Sequence, residues 1–496
     1  SFDQSSETVS QKEKDEEVMD ERHNQHGFNW IICTVLMVGY TAGGGLVALP
    51  SSFVNSGLWA GIGMTVISAV LSAYTGVQLG QNWIIMQERW PKYVESCRKP
   101  YPDMAFRALG KGVRVFVIII IALQQFGFSV VFLLLASNNI SSFLFTFWQL
   151  KINFCFIALV VAVIITPMLM LGSAKDFWQT ALVALCSTSA AVCLMIVGII
   201  NDWGPCRAEV DFPPVVFNQF FLAYGTIIFA FGGHSAFPSF QHDMKNPADF
   251  PKSSVAAYVV MLILYLPVSV LGYLVYGGSQ GGTIITSLQL TWVQQTVNVL
   301  ITVHVIFAQV LICSPLSLQI EELCRVPNQF GIRRVILRLI IVLCVLFTAL
   351  SIPKFGAILD LIGGSTITLL SMILPSIFHL FLVASTKKQK LIANDSKVED
   401  KTIYASVADV FRYNSWPVLI LNFCVLAFGV IGGVASTLSA INEMATTEWE
   451  LPCYVELFMG TLSFEGDGGA VSCCGLYKNI TTLDGVDPNG LCAAVS

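Results

Sequence analysis

The chain has 496 residues, of which 55% are hydrophobic and 12% charged, and its mean hydropathy is +0.70. No water-soluble domain needs that much apolar residue, so the composition excludes a soluble enzyme or a soluble binding module. The net charge of −5 comes from acidic tails and loops. By itself it neither favours nor excludes nucleic acid, and no nucleic acid partner is expected.

The chain opens on Ser1 rather than Met, which leaves room for residues before it. Residues 1–27 are polar and acidic (QKEKDEEVMDE at their centre), too polar for a signal peptide and expected as a disordered cytosolic tail. Apolar blocks of bilayer-spanning length follow at roughly 29–54, 57–81, 113–137, 153–172, 178–201, 217–237, 254–277, 291–320, 334–352, 356–382 and 416–440. The ninth and tenth are separated by little more than Pro353, which leaves a count of ten open beside eleven. The expected domains are therefore the tail 1–27, an eleven-span body over 28–440 and a tail over 441–496.

With the N-terminus placed inside, all but four of the 27 Lys and Arg residues fall on the inner side. The N-terminus is thus expected in the cytosol and, after an odd number of spans, the C-terminus in the extracellular space or a lumen. Cys206, Cys453, Cys473, Cys474 and Cys492 fall on that outer side, where disulfides persist, with no pairing assignable from spacing. Asn479-Ile480-Thr481 is a glycosylation sequon in the same tail, and Asn139-Ile140-Ser141 is a second, expected too close to the membrane for use.

The first block carries three consecutive glycines, Gly43, Gly44 and Gly45, just after Thr41. Glycine costs about 1 kcal/mol per residue against alanine in a helix interior, and a helix broken there frees backbone N–H and C=O groups. In a membrane such groups are tolerated only against protein, water or a ligand. One reading makes Thr41 to Leu46 an unwound segment presenting backbone to a small polar substrate. The other makes the glycines a close-approach patch between helices. The sixth block is broken too, by Gly232-Gly233-His234-Ser235 with Pro238 following. Two interrupted spans about 190 residues apart are what two inverted repeats of five spans produce, and such a pair points to a transporter's binding site.

At this second break the sequence resembles the amino acid/auxin permease family. FAFGGHSAFPSFQHDMKNPADFP looks like that family's sixth span, GGGLVALP (Gly43 to Pro50) is similar to its first-span pattern, and IPKFGAILDLIGGSTITLLSMILPSIFHL (Ile352 to Leu380) resembles its tenth. The resemblance covers roughly residues 28–440. It implies an all-α polytopic membrane protein, a LeuT-type 5+5 inverted repeat plus an eleventh helix, moving amino acids or related small solutes.

A substrate carboxylate is expected at the N–H groups of Gly43 to Val47, where a half-helix begins with about half a positive charge. Carbonyls of Phe231, Gly232, Gly233, His234 and Ser235 are expected to take the α-amino group, with Phe231 capping the substrate side chain. Gln124, Gln125, Phe128, His304 and Gln309 lie at a depth to line the wall, with plain inter-helix packing the alternative. His234 is either a proton carrier or a neutral ring satisfying carbonyls of the broken helix. Asp360 and His304 are further proton-coupling candidates, Asp360 expected near the outer mouth and solvated there.

The family's sodium-coupled members tend to carry Asn where this chain has Gly39, and Ala308 stands where an oxygen-bearing Thr would help hold Na⁺. Proton coupling is therefore preferred over sodium coupling or uncoupled exchange. No metal site and no cofactor are expected. The plasma membrane is the expected location, with a lysosomal or vesicular membrane the alternative. Two other classes compete with a carrier. An intramembrane enzyme needs clustered acid–base residues, yet the six histidines are scattered. A nutrient-sensing receptor on a transporter scaffold would bind the same solute without moving it.

Overall fold

Asn29 starts the first helix: its side chain accepts from the Ile32 N–H, 3.0 Å away, closing the first turn of α1 (Trp30–Thr41). A computed structural model describes residues 27–95, 97–150, 152–170, 178–208, 210–327, 331–352, 354–395 and 404–446, with single positions beyond; every structural statement here concerns these residues. The acidic tail through residue 26, Cys453, Cys492 and the Asn479 sequon lie outside them.

Helix α1 stops where Ala42 turns extended, and α2 (Gly44–Ser56) restarts at an angle of 60°. In chain order follow α3 (Leu58–Arg89), the short α4 (Pro100–Leu109), α5 (Lys111–Trp148), α6 (Phe154–Met170) and α7 (Trp178–Asn201). Then come α8 (Phe217–Ala230), α9 (Phe237–His242), α10 (Phe250–Tyr276), α11 (Thr291–Leu323) and α12 (Ile332–Ser351). Helix α13 (Phe355–Ile362) runs through two π turns, Gly363–Ile367 and Leu369–Ile373, into α14 (Leu374–Asp395), and α15 (Trp416–Thr446) closes the described body.

Eight helices are long and apolar enough to cross a membrane, the bent pair α1–α2 makes a ninth, and α6 and α8 are shorter apolar helices. The chain is therefore an all-helical, multi-pass integral membrane protein. Its outside confirms the solvent: Val70, Ile119, Val163, Ile263, Leu343 and Ile431 are all exposed, an apolar skin that only lipid covers without penalty. Burial sorts the helices. In α5, α11 and the run from α13 to α14, 67% of the most apolar stretch is buried, against 33% in α12 and α15. The first three form the centre and the last two the lipid-facing rim.

One face of the bundle is basic, carrying Arg89, Lys99, Arg107 and Arg114 around α4. At that face Phe28 is strapped to the segment after α9: its N–H donates to the Asp243 carbonyl (3.2 Å) and its own carbonyl accepts from Lys245 (2.8 Å). At the opposite face Cys206, just past α7, is disulfide-bonded to Cys474, and Cys155 and Cys473 are also in disulfides. Cys155 is not among the outer cysteines expected from the sequence, because it sits at the start of an apolar block. Asn139 is 5% exposed inside α5, so its sequon is closed to a glycosyltransferase.

Candidate substrate site

The break between α1 and α2 frees backbone on both sides. The Ala42 N–H still reaches the Val38 carbonyl (2.8 Å), and Leu46 N–H reaches the Gly43 carbonyl (3.1 Å). Between them the N–H groups of Gly43, Gly44 and Gly45 and the carbonyls of Gly39 to Ala42 meet no described backbone partner. All of Thr41 to Leu46 is buried, Thr41 at 7% and Leu46 fully. A buried helix start with three unpaired donors is the arrangement that seats an anion.

Each glycine is fixed by a different neighbour. A Cβ on Gly45 would run into the Cα of Ala230, the last residue of α8, and a Cβ on Gly43 into the Nε2 of His304. On Gly44 it would meet only side chains, the ring of Phe132 at 3.2 Å and Val131 at 3.6 Å. A Cβ on Gly233 would come within 2.6 Å of the Thr41 hydroxyl, and one on Gly232 would approach Ile367 in the first π turn. The two broken helices therefore touch at their breaks: Thr41 lies on Gly233 and Gly45 on Ala230.

The second break keeps fewer free carbonyls than the sequence implies. Tyr258 and Tyr265 of α10 donate to the carbonyls of Phe231 (3.1 Å) and Ala230 (3.0 Å). The Gly233 and His234 carbonyls accept from Ala236 (3.0 Å) and Phe237 (3.2 Å). Of the expected carbonyl set, Gly232 and Ser235 are left without a described partner. The Phe231 ring packs on Tyr258 and Tyr265, not over the first break. The aromatic wall is instead Phe128 against Phe229, with centroids 4.8 Å apart, and Phe132 over Gly44. Tyr258 and Tyr265, seven residues apart on one face of an apolar helix, are the signal that would have revealed the caps.

The two histidines separate. His234 turns away from the breaks: its Nε2 lies 3.0 Å from the Ser72 carbonyl and 3.1 Å from the Thr75 hydroxyl, both on α3, with Tyr258 beside the ring. It satisfies a carbonyl of a neighbouring helix, not one of its own. His304 is fully buried with Nδ1 2.8 Å from the Thr188 hydroxyl and 3.1 Å from the Ala184 carbonyl, while Nε2 has no partner.

Gln124 is also fully buried with both amide atoms unpartnered, one helical turn from Phe128. Gln309 reaches the Ser129 carbonyl at 3.5 Å and so serves packing between α11 and α5. Gln125, 4% exposed, lies on the same central helix. Asp360 corrects an expectation: it is 8% exposed, not solvated, and accepts from the Thr226 hydroxyl at 2.5 Å. Its proximity to Lys354 in sequence does not bring it to the surface, because α13 packs on α8 through Gly225 and Gly363. No cluster of three metal-ligating side chains occurs among the described residues.

Two broken helices meeting at buried, unpaired backbone are the arrangement from which membrane carriers form binding sites. The family profile described as "Transmembrane amino acid transporter protein" matches residues 26–399, and the chain belongs to that family. "Amino acid transporter AVT1C" of Arabidopsis thaliana is 25% identical over 352 residues, covering 69% of this chain and 61% of that protein. "Amino acid transporter AVT1D" of the same plant is 25% identical over 417 residues, 81% of this chain and 67% of the relative. "Lysine histidine transporter-like 1", also from Arabidopsis thaliana, is 30% identical over 174 residues, 33% and 38% of the two chains. The chain spans about three-fifths of the length of the first of these relatives. The family and these relatives are transporters, not enzymes.

Proposed function

We propose that this protein moves amino acids across a membrane by alternating access, with the substrate held between the two helix breaks. The observation that carries this reading is the buried run of unpaired N–H groups at Gly43 to Gly45, facing the end of α8. The carboxylate sits on the N-terminus of α2 and the α-amino group on the carbonyls of Gly232 and the α1 end. Thr41, Leu46, Ser235, Gln124 and Phe128 complete the surroundings. Counting the bent pair and the broken α8–α9 as one span each gives eleven spans, arranged as a LeuT-type 5+5 repeat plus α15. The basic face is cytosolic, and the face with the Cys206–Cys474 disulfide is extracellular or lumenal. The plasma membrane is its preferred residence.

The coupling ion is a proton. Gly39 has no room for an asparagine, since even a Cβ there would run into the Ala181 carbonyl, and Ala308 is fully buried without an oxygen to offer. Both points support protons over sodium. Purified protein in proteoliposomes, offered labelled amino acids at two pH values with and without sodium, tests the reading. Uptake that rises with an inward proton gradient and ignores sodium is the expected result. Binding without flux would make the protein a sensor, and strict sodium dependence would make it a sodium symporter.

Alternating access implies that the strap at Phe28 breaks when the site opens to the basic face. A Cβ on Gly27 would lie 2.5 Å from the Lys245 nitrogen and 2.7 Å from the Met244 carbonyl carbon. Gly27→Val should therefore release the strap. Its expected effect is a several-fold faster labelling of a Thr41→Cys reporter by impermeant maleimide applied from the basic side. Unchanged labelling would mean that the strap does not gate the site.

A further inference from the structure

His304 joins three helices at the first break. Its Nδ1 faces the Ala184 carbonyl, which can only accept, so Nδ1 carries the hydrogen and the neutral ring leaves Nε2 bare. That bare nitrogen is fully buried, has no partner, and lies against Gly43, the first of the three residues whose N–H groups are free.

Among the described residues, the titratable groups of the helices around it are engaged elsewhere or lie at the surface. On α1, Tyr40 packs on Phe240 and Cys33 is buried in the core. On α5, Arg114 pairs with Asp103, and Lys111 is exposed at the helix start. On α7, Cys186 and Cys193 are exposed to the outside. On α11 itself, Cys313 lies on Ser129, Glu321 pairs with two arginines and Glu322 with Lys99. The remaining contact is the Phe132 ring, with centroids 6.4 Å apart.

We propose that Nε2 of His304 binds the coupled proton, and binds it together with the substrate carboxylate. The inference rests on the reading of Gly43 to Gly45 as the carboxylate seat. Protonation turns Nε2 from an acceptor into a charged donor beside that seat, so an anion on the N-terminus of α2 and a proton on His304 favour each other. Reciprocity follows: substrate raises the proton's affinity by the factor by which the proton raises the substrate's. The Thr188 hydroxyl accepts from Nδ1–H and supports the cation. The site selects solutes with a carboxylate, because an amino alcohol gives the imidazolium nothing to pair with.

Calorimetry of alanine, proline, lysine and glutamate binding to the full chain in detergent, run in buffers of different ionisation enthalpy, counts the protons taken up. The tightest binder should take up about one proton near neutral pH, and its amino alcohol none. His304→Gln places an amide near Nε2 that cannot titrate. It should bind more weakly, and proton uptake should vanish. Thr188→Val keeps the Ala184 bond and should move the midpoint of proton uptake to lower pH, since it withdraws an acceptor from the cation; it tests the idea even if His304→Gln fails to fold. Amino acid binding without proton uptake in the wild type, or uptake retained in His304→Gln, would overturn the proposal. A wild-type chain that binds no amino acid overturns both the seat and the proposal. Binding with proton uptake but no flux in vesicles overturns the transport reading alone.

Discussion

Gly45→Val is expected to reduce amino acid uptake to background while the protein still reaches the membrane in normal amount. The added carbons would be driven into the backbone of Ala230, which cannot rotate aside as a side chain can. Either α2 withdraws from α8, opening the gap proposed above to close around substrate, or the end of α8 shifts and its Tyr265 cap is lost. Overpacking of this kind costs about 1–3 kcal/mol of stability, which a bundle of this size tolerates, so the loss falls on transport. Gly44→Val is the built-in comparison, since its first contact is the edge of the Phe132 ring. It should retain part of the uptake. Gly233→Val, crowding the Thr41 hydroxyl and Phe237, should match Gly45→Val. Surface biotinylation and initial uptake rates measured in the same cells separate folding from function. Normal transport by Gly45→Val would remove the breaks from the substrate path.

The order of sensitivity, with Gly45 and Gly233 above Gly44, was not legible in the sequence, where the three adjacent glycines look alike. What the sequence does carry is depth along a helix: apolar runs set the blocks, and consecutive glycines mark where a helix cannot continue. It does not carry azimuth, because a span that is apolar on every side has no polar face to orient it. For that reason His234, which sits inside the broken segment, reads as the central histidine, although its ring turns to Ser72 and Thr75. His304 lies in an unbroken helix and reads as a secondary candidate beside it, yet its Nε2 abuts Gly43. Asp360 misleads in the same way. Six residues from Lys354, it reads as a mouth residue, whereas the glycine contacts of α13 with α8 bring it inside onto Thr226. Tyr258 and Tyr265 stand out on an apolar helix, but which carbonyls they cap is set by a helix far away in sequence. One of the two, that of Phe231, is among those expected for substrate, and the other, that of Ala230, is not.

Glu321→Ala should cost the fold about 3–5 kcal/mol, the usual penalty for removing one partner of a buried ion pair. Glu321 is 2% exposed near the end of α11, and its Oε1 accepts from Arg338 at 2.6 Å and from Arg334 at 3.1 Å, both on α12. Arg338 also donates to the Leu169 carbonyl at the end of α6, where a cation is favoured by the helix terminus. One carboxylate thereby fastens three helix ends at the basic face. Two of them, α6 and α12, lie beside each other at the periphery and bury little of their own surface. Without Glu321 two guanidinium groups would remain buried side by side, repelling each other in a medium that screens poorly. The expected results are a lower Tm in detergent, early elution or aggregation on size exclusion, and little protein at the membrane. Glu321→Gln keeps an oxygen for one arginine and should fall between. Replacing Glu321, Arg334 and Arg338 together by Met or Leu removes the charges as a set and should recover much of the loss, since an apolar trio of similar volume pays no desolvation. If Glu321→Ala kept the wild-type Tm, the three helix ends would be held by packing alone and the ion pairs would be incidental to the fold.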